Sequence, residues 1–150
     1  MSASFTPDAL QPLAWLTSHP WAYPALESVH IIAIALVVGS LVVFELRVWG
    51  LGTELPTPAL ARLALGTSLA GFGLAAATGL LMFASQPDEL LANRAFVVKM
   101  GLLMLAGTNA ALFHARGGVR RADAVARAQT VLSLGIWAAV IICGRWIAYI

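Results

Sequence analysis

The sequence has few charged residues. They make up 11% of the 150 positions, whereas hydrophobic residues make up 60%. In soluble domains about a quarter of the residues are charged. A domain of this length cannot hide so much apolar surface from water, so the excess is expected to face lipid. The composition therefore excludes a soluble enzyme, a disordered chain and, with only 9 basic against 7 acidic residues, a nucleic-acid binder.

Several motifs that carry chemistry are also missing. Cys143 is the one cysteine, which excludes a disulfide framework and zinc sites of the CxxC type. The chain has no glycine-rich phosphate loop, no HExxH motif, no nucleophile elbow and no CxxCH haem-attachment motif. Because no acid–base or nucleophile constellation is assembled, the sequence disfavours an independent enzyme.

What the sequence does contain is four long apolar segments separated by charges. We place the spans at residues 25–47, 59–85, 95–115 and 127–149. At 1.5 Å per residue each can cross a hydrocarbon core of ~30 Å, and none alternates as a barrel strand would. The sequence predicts an all-α, four-helix transmembrane bundle in a single integral membrane domain over residues 1–150. The segment Asp8 to Ser18 is too short to span and is predicted to form an interfacial helix.

Arginines are concentrated in two of the connections between spans. The connections after the first and third spans contain Arg47, Arg62, Arg116, Arg120, Arg121 and Arg127. The positive-inside rule predicts that these connections lie in the cytoplasm and that both termini lie on the outer side of the membrane, which is the periplasmic side in the case of a bacterial inner membrane. The N-terminal stretch lacks the basic start and cleavage site of a secretory signal, so the first span is expected to insert the chain.

Small residues recur at every fourth position in three spans. The rows are Gly71, Ala75 and Gly79 in the second span, Gly135, Ala139 and Cys143 in the fourth, and Ala35 and Gly39 in the first. Small residues let helix backbones approach closely where lipid offers no hydrophobic drive. The rows therefore predict helix–helix contacts.

Polar residues gather near the predicted periplasmic side. Ionisable groups at membrane depth are costly, so each one is a site hypothesis. Counting residues along the helices indicates that one group of side chains lies at a common depth in the membrane. Its members are Glu27, His30, Lys99 and Arg145, with the softer donors Met82, Met100 and Cys143. Imidazole, thioether and thiol groups suit copper(I), or haem iron with histidine as one axial ligand. The predicted metal ligands are His30, Glu27, Met82, Met100 and Cys143, and the predicted cofactor-binding residues are His30, Lys99 and Arg145.

Each of these residues also has a structural interpretation. His30 could be a buried histidine that bonds Glu27 or a backbone carbonyl, and Met82, Met100 and Cys143 are ordinary packing residues in apolar helices. Lys99 and Arg145 could extend to the headgroups or anchor an anion such as a haem propionate, and either could pair with Glu27.

A second polar group lies near the predicted cytoplasmic side. Glu45 follows Glu27 by five helical turns, at a depth where Arg47 or Arg62 could pair with it. Asn109 lies mid-membrane, where such residues usually bond across helices.

The histidines fall at different depths. His114 ends the third span, about 20 Å along the helix from Lys99. His30 and His114 therefore cannot be the two axial ligands of one haem. His19 precedes the first span and could cap an outer metal site or lie at the interface.

Three motifs resemble a family of small four-helix bacterial membrane proteins that has no established activity. They are Glu27-Ser28-Val29-His30-Ile31-Ile32, Thr78-Gly79-Leu80-Leu81-Met82-Phe83 and Phe96-Val97-Val98-Lys99-Met100. More distantly, His30 with Gly39 and Lys99 resembles the membrane domain of copper-resistance protein D and the HemJ-type protoporphyrinogen oxidase. The first resemblance implies copper handling, and the second implies haem b linked to the histidine and the lysine.

Three hypotheses of function follow. Copper handling at a periplasmic-side site centred on His30 is slightly favoured, because the soft donors cluster there without a second histidine. The alternatives are a haem b-binding redox protein and a non-catalytic accessory or structural subunit. The lipid bilayer is the expected partner, and nucleic acid is not expected. A periplasmic metal-binding protein and a second copy of the chain are further partners that the sequence leaves open.

Overall fold

A computed structural model describes residues 13–150, and over that range the chain is helical with no strand. The helices are α1 (Ala14–Ser18), α2 (Ala22–Val48), α3 (Thr57–Ser85), α4 (Pro87–Ala92), α5 (Arg94–Ala115) and α6 (Ala124–Trp146), with a 3₁₀ turn at Gly118–Arg121. Helices α2, α3, α5 and α6 are long and apolar enough to cross a membrane. The protein is a multi-pass membrane protein, and the predicted all-α four-helix bundle is confirmed.

The predicted interfacial segment lies only partly in the described range. Residues 8–12 fall outside it, and Ala14–Ser18 form α1. Leu16 is buried, whereas Trp15 is exposed, and α1 contacts α2 and α3.

The long helices pair as two antiparallel hairpins. Helix α2 packs along α3, α5 packs along α6, and a smaller α2–α6 contact joins the two pairs. One end of the bundle contains Trp21, Ser85, Arg94 and Trp146, and we call it the terminal end. The opposite end contains Val48, Thr57, Ala115 and Ala124, and we call it the arginine end.

One cluster of buried apolar side chains lies at the arginine end, where all four long helices meet. It consists of Phe44, Val48, Ala64, Phe113 and Ala126. The Phe44 and Phe113 rings meet edge to face, with centroids 5.9 Å apart. The outward faces instead expose large apolar side chains such as Leu63, Leu69, Leu80 and Met104. Such surfaces are stable against lipid and not against water.

Asn93 links the start of α5 to the residues that follow α6. Its side-chain oxygen accepts from the amides of Ala95 and Phe96 and so caps α5. Its side-chain nitrogen donates to the carbonyl oxygens of Ile147 and Ile150, at 3.0 and 2.6 Å. One side chain thus caps α5 and holds the chain end beside it in a turn.

The connection at the arginine end is stabilised by Asp123. Its carboxylate accepts from the Ala126 amide at the start of α6 and pairs with Arg116 at 3.3 Å. The Ala126 amide, followed by the guanidinium groups of Arg116 and Arg121, holds the pKa of Asp123 below its usual range. Gly117, with φ of 104°, reverses the chain between α5 and the 3₁₀ turn.

Helices α2 and α3 approach most closely at Gly71. A Cβ at this buried position would lie 3.0 Å from the Ala33 carbonyl oxygen and from Leu36 Cβ, and 3.2 Å from Val37 Cγ2. Gly79, two turns farther along α3, faces His30. The row predicted in the second span therefore does lie at a helix–helix contact.

The rows of small residues predicted in the first and fourth spans differ from the row in the second span. Gly39 and Gly135 have open space where a Cβ would be, and Ala35 is exposed. Residue spacing identifies positions that share a face of a helix, but it does not say whether that face meets a helix or lipid.

Replacing Gly71 with alanine is expected to destabilise the bundle. The added methyl group would press on α2 backbone and side-chain atoms, and overpacking of this kind costs about 1–3 kcal/mol. Unfolding of the purified protein in detergent measures the effect.

The matched control is Gly73→Ala on the same helix, where the space around a Cβ is open. It should leave stability unchanged or raise it by up to ~1 kcal/mol through helix propensity. Equal effects of the two substitutions would contradict the close approach at Gly71.

Candidate functional site

His30 lies against α3 at Thr78. The His30 Nδ1 atom is 2.7 Å from Thr78 Oγ1. The Thr78 hydroxyl already directs its hydrogen toward its own helix, with the carbonyls of Leu74 and Ala75 at 2.8 and 3.1 Å. We therefore assign the Thr78 oxygen as the acceptor, which places the proton on His30 Nδ1. This assignment leaves Nε2 with a free lone pair, the form in which a histidine binds a metal.

Gly79 provides the space that this histidine occupies. A Cβ at position 79 would lie 3.3 Å from His30 Cε1. Thr78 is buried and His30 is half-buried. The ring is thus held between a hydrogen-bond acceptor and a backbone without a side chain.

Lys99 reaches the same level from the other hairpin. Its Nζ would be 3.5 Å from a Cβ placed on Gly144 of α6, so the absence of a side chain there makes room for it. Its charge acts on His30 and on Cys143. Between residues 13 and 150 no carboxylate lies within 4 Å of Nζ, so the pair with Glu27 considered above does not form.

Two of the soft donors are half-buried at this end. Cys143 immediately precedes Gly144, the residue that Lys99 contacts. Met82 is one turn beyond Thr78 and lies on the same face of α3. Together with His30 and Lys99, these residues bring one polar or soft side chain from each long helix to the terminal end.

Three of the predicted site residues are at the surface. Glu27 and Met100 are exposed. Arg145 is also exposed, and its guanidinium lies 4.9 Å from the centre of the Tyr149 ring and donates to the Tyr149 hydroxyl. In the described part of the chain, no group of three or more histidine, cysteine, aspartate or glutamate side chains is placed to hold a metal ion.

The other two histidines lie apart from His30. His114 is exposed at the arginine end, edge to face with the Phe113 ring at 5.5 Å. His19 is exposed before α2, and its Nδ1 accepts from the Trp21 amide at 3.4 Å. The helix directions keep His30 and His114 at opposite ends of the bundle.

A groove of about 910 Å³ lies away from this site. It follows the arginine-end half of α3, from Pro58 to Leu74, beside Leu36 of α2. No predicted site residue lines it.

Sequence reasoning missed Thr78 as the partner of His30. The row of Gly71 and Gly79 on α3 carried a signal, because a threonine beside a contact glycine is close to the neighbouring helix. The identity of that helix was not available from the sequence.

We expect Thr78→Val to shift the balance between the two neutral tautomers of His30. Valine has no acceptor for the Nδ1 proton, so the Nε2-protonated form should rise about 2- to 10-fold relative to the other, as expected for one hydrogen bond of 0.5–1.5 kcal/mol. Nitrogen NMR of the labelled histidine side chain distinguishes the two forms.

Thr78→Ser keeps a hydroxyl and should preserve the wild-type spectrum. A second control is Thr108→Val, because Thr108 is exposed and its hydroxyl bonds only to the Met104 carbonyl of its own helix. A spectrum of Thr78→Val identical to that of the wild type would contradict the assignment.

Comparisons with known proteins return no relative. No family model, no curated protein and no solved structure matched the chain. Function therefore has to be argued from the geometry of the terminal end: a histidine in contact with Thr78, a half-buried thiol and thioether, and an ammonium group with no carboxylate partner among residues 13–150.

Proposed function

We propose that this protein handles copper at the terminal end of the bundle, with His30 as the central ligand. The observation that carries the proposal is the contact between His30 Nδ1 and Thr78. With the proton assigned to Nδ1, the contact orients the ring and leaves Nε2 of the neutral imidazole as a donor to the metal. Metal-binding histidines in proteins are typically oriented in this way by an acceptor on the other ring nitrogen.

Cys143 is the proposed second ligand, and Met82 is the third. Thiolate and thioether sulfur favour copper(I) over harder divalent ions, and both residues are half-buried at the level of His30. Glu27 and Met100, which are exposed, and Arg145, which contacts Tyr149, are not part of the proposed ligand set.

Lys99 balances charge in this arrangement. A metal-bound thiolate is negative, and the ammonium group that acts on Cys143 offsets that charge within an apolar bundle. Because Lys99 lacks a carboxylate partner among residues 13–150, it also supports a second candidate, a haem b site in which Lys99 anchors a propionate.

The proposed location is a bacterial inner membrane, with the arginine end in the cytoplasm. The arginine-rich turn between α5 and α6 supports this orientation, which puts the His30 site on the periplasmic side. Copper would then reach the site from the periplasm, from solution or from a metal-binding partner.

Copper binding should depend on His30 and on the residue that orients it. We expect the purified protein to bind copper(I) under reducing conditions and His30→Ala to abolish this binding. Thr78→Val should weaken it about 10- to 100-fold, as the loss of an orienting partner usually does. Metal analysis and competition with a copper(I) chelator measure both effects.

His114→Ala is the matched control, because His114 is remote from the site, and it should bind copper as the wild type does. A Soret band in the absorption spectrum that disappears in His30→Ala would support the haem candidate and contradict copper handling. Neither cofactor in protein from replete cells would contradict both and favour an accessory subunit.

The orientation is tested by a reporter fused after Gly117. We expect cytoplasmic activity of the reporter, because Gly117 lies in the arginine-rich turn at the arginine end. A reporter active only in the periplasm would contradict the orientation.

A further inference from the structure

A buried carboxyl group lies at the other end of the bundle from His30. Glu45 is in the last turn of α2 and is only 2% exposed. It follows Phe44, whose ring is part of the core at the arginine end. The copper proposal uses no residue at this end, so Glu45 needs a separate explanation.

The Glu45 carboxyl is incompletely satisfied by its surroundings. Ser133 on α6 is its hydrogen-bond partner. The Oε2 atom is fully enclosed and has no hydrogen-bond partner. An ionised carboxylate in such surroundings would lose its hydration without compensation, at a cost much larger than that of a neutral acid.

No cation offsets a charge on Glu45. Arg47 is two positions later on α2, about 200° around the helix, so the two side chains leave on opposite faces. The other ionisable groups at this end are Glu54, Arg62, His114, Arg116, Arg120, Arg121, Asp123 and Arg127. All of them are exposed except Arg116, which is half-buried and pairs with Asp123. Across the described residues none of them forms an ion pair with Glu45, so the pairing with Arg47 or Arg62 considered from the sequence does not occur.

We propose that Glu45 is a proton-binding site, at which the carboxyl carries a proton in the folded bundle and exchanges it with water at the arginine end. Its Oε2 atom takes a proton from water to form the neutral acid and returns it as the carboxylate forms. Glu45 is less than two turns from the end of α2, so the path to the aqueous phase is short.

The proposed site lies where it can influence the whole bundle. Ser133 belongs to α6, and the α2–α6 contact is one of the contacts that join the two hairpins, together with the Phe44–Phe113 contact between α2 and α5. A proton on Glu45 keeps the α2–α6 contact neutral, whereas deprotonation introduces an unpaired negative charge between the hairpins. The contact should therefore be tight when the proton is bound and weaker when it is released.

Infrared spectroscopy of the purified full-length protein tests the proton directly. We expect the carbonyl stretch of a protonated carboxylic acid at neutral pH, its loss on alkaline titration, and its absence at neutral and higher pH in Glu45→Gln. Glu54→Gln is the matched control, because Glu54 is an exposed carboxylate in the connection after α2, and it should leave the band unchanged.

A wild-type protein without this band at neutral pH, or a band that persists in Glu45→Gln, would overturn the proposal. Because either variant could be poorly folded, the pH dependence of thermal stability gives a second measurement. A buried neutral acid stabilises the fold at low pH, and this contribution is lost as the pH rises and the unfolded chain gives up its proton more easily.

We therefore expect the melting temperature of the wild type to fall as the pH rises above about 4.3, where the carboxyl of the unfolded chain ionises, and to level off once the folded carboxyl has ionised as well. Glu45→Gln should match the wild type at mildly acidic pH and lose less stability than the wild type as the pH rises. A large drop in the melting temperature of Glu45→Gln at mildly acidic pH would show that the protonated acid is not what stabilises the fold, and would overturn the proposal.

Discussion

The close approach of α2 and α3 at Gly71 and Gly79 is the constraint on which the rest of the structure depends. Lipid provides no hydrophobic drive for helix association, so backbones must come near enough for extensive van der Waals contact. At Gly71 this contact is made against Ala33 and Leu36. Two turns later the same approach brings Thr78 within hydrogen-bonding distance of His30. The close packing of α2 against α3 therefore also determines how His30 is oriented.

The few polar groups in the bundle differ in how many of their hydrogen-bonding atoms have a partner. Asn109 donates across helices to the Gln129 carbonyl at 2.9 Å, and the Trp49 indole donates to Thr130 at 2.8 Å. Such bonds hold helices together. His30 Nε2 and Glu45 Oε2 are different, because each retains binding capacity in an apolar setting where that capacity is costly. The two lie at opposite ends of α2, so the proposed metal and proton sites are separate.

The fold could be predicted from the sequence, whereas the site could be predicted only in part. Runs of about 20 apolar residues admit no other structure in a membrane, and Asn109 bonds across helices as its mid-membrane position indicated. Residue counting also gives depth, which placed His30 and Lys99 at one level. It does not give rotation about the helix axis or the choice of neighbour. For that reason the sequence could not show that Arg145 contacts Tyr149, or that Glu45 has Ser133 as its partner in place of an arginine.

The central claim is that His30 and a sulfur ligand bind one copper ion between the helices of the terminal end. X-ray absorption at the copper edge, on copper(I)-loaded wild-type protein, examines that ion directly. The account predicts a coordination shell containing one imidazole nitrogen and at least one sulfur, with the imidazole contribution missing in His30→Ala and the sulfur contribution reduced in Cys143→Ser. A shell of oxygen or nitrogen alone, unchanged in both variants, would contradict it.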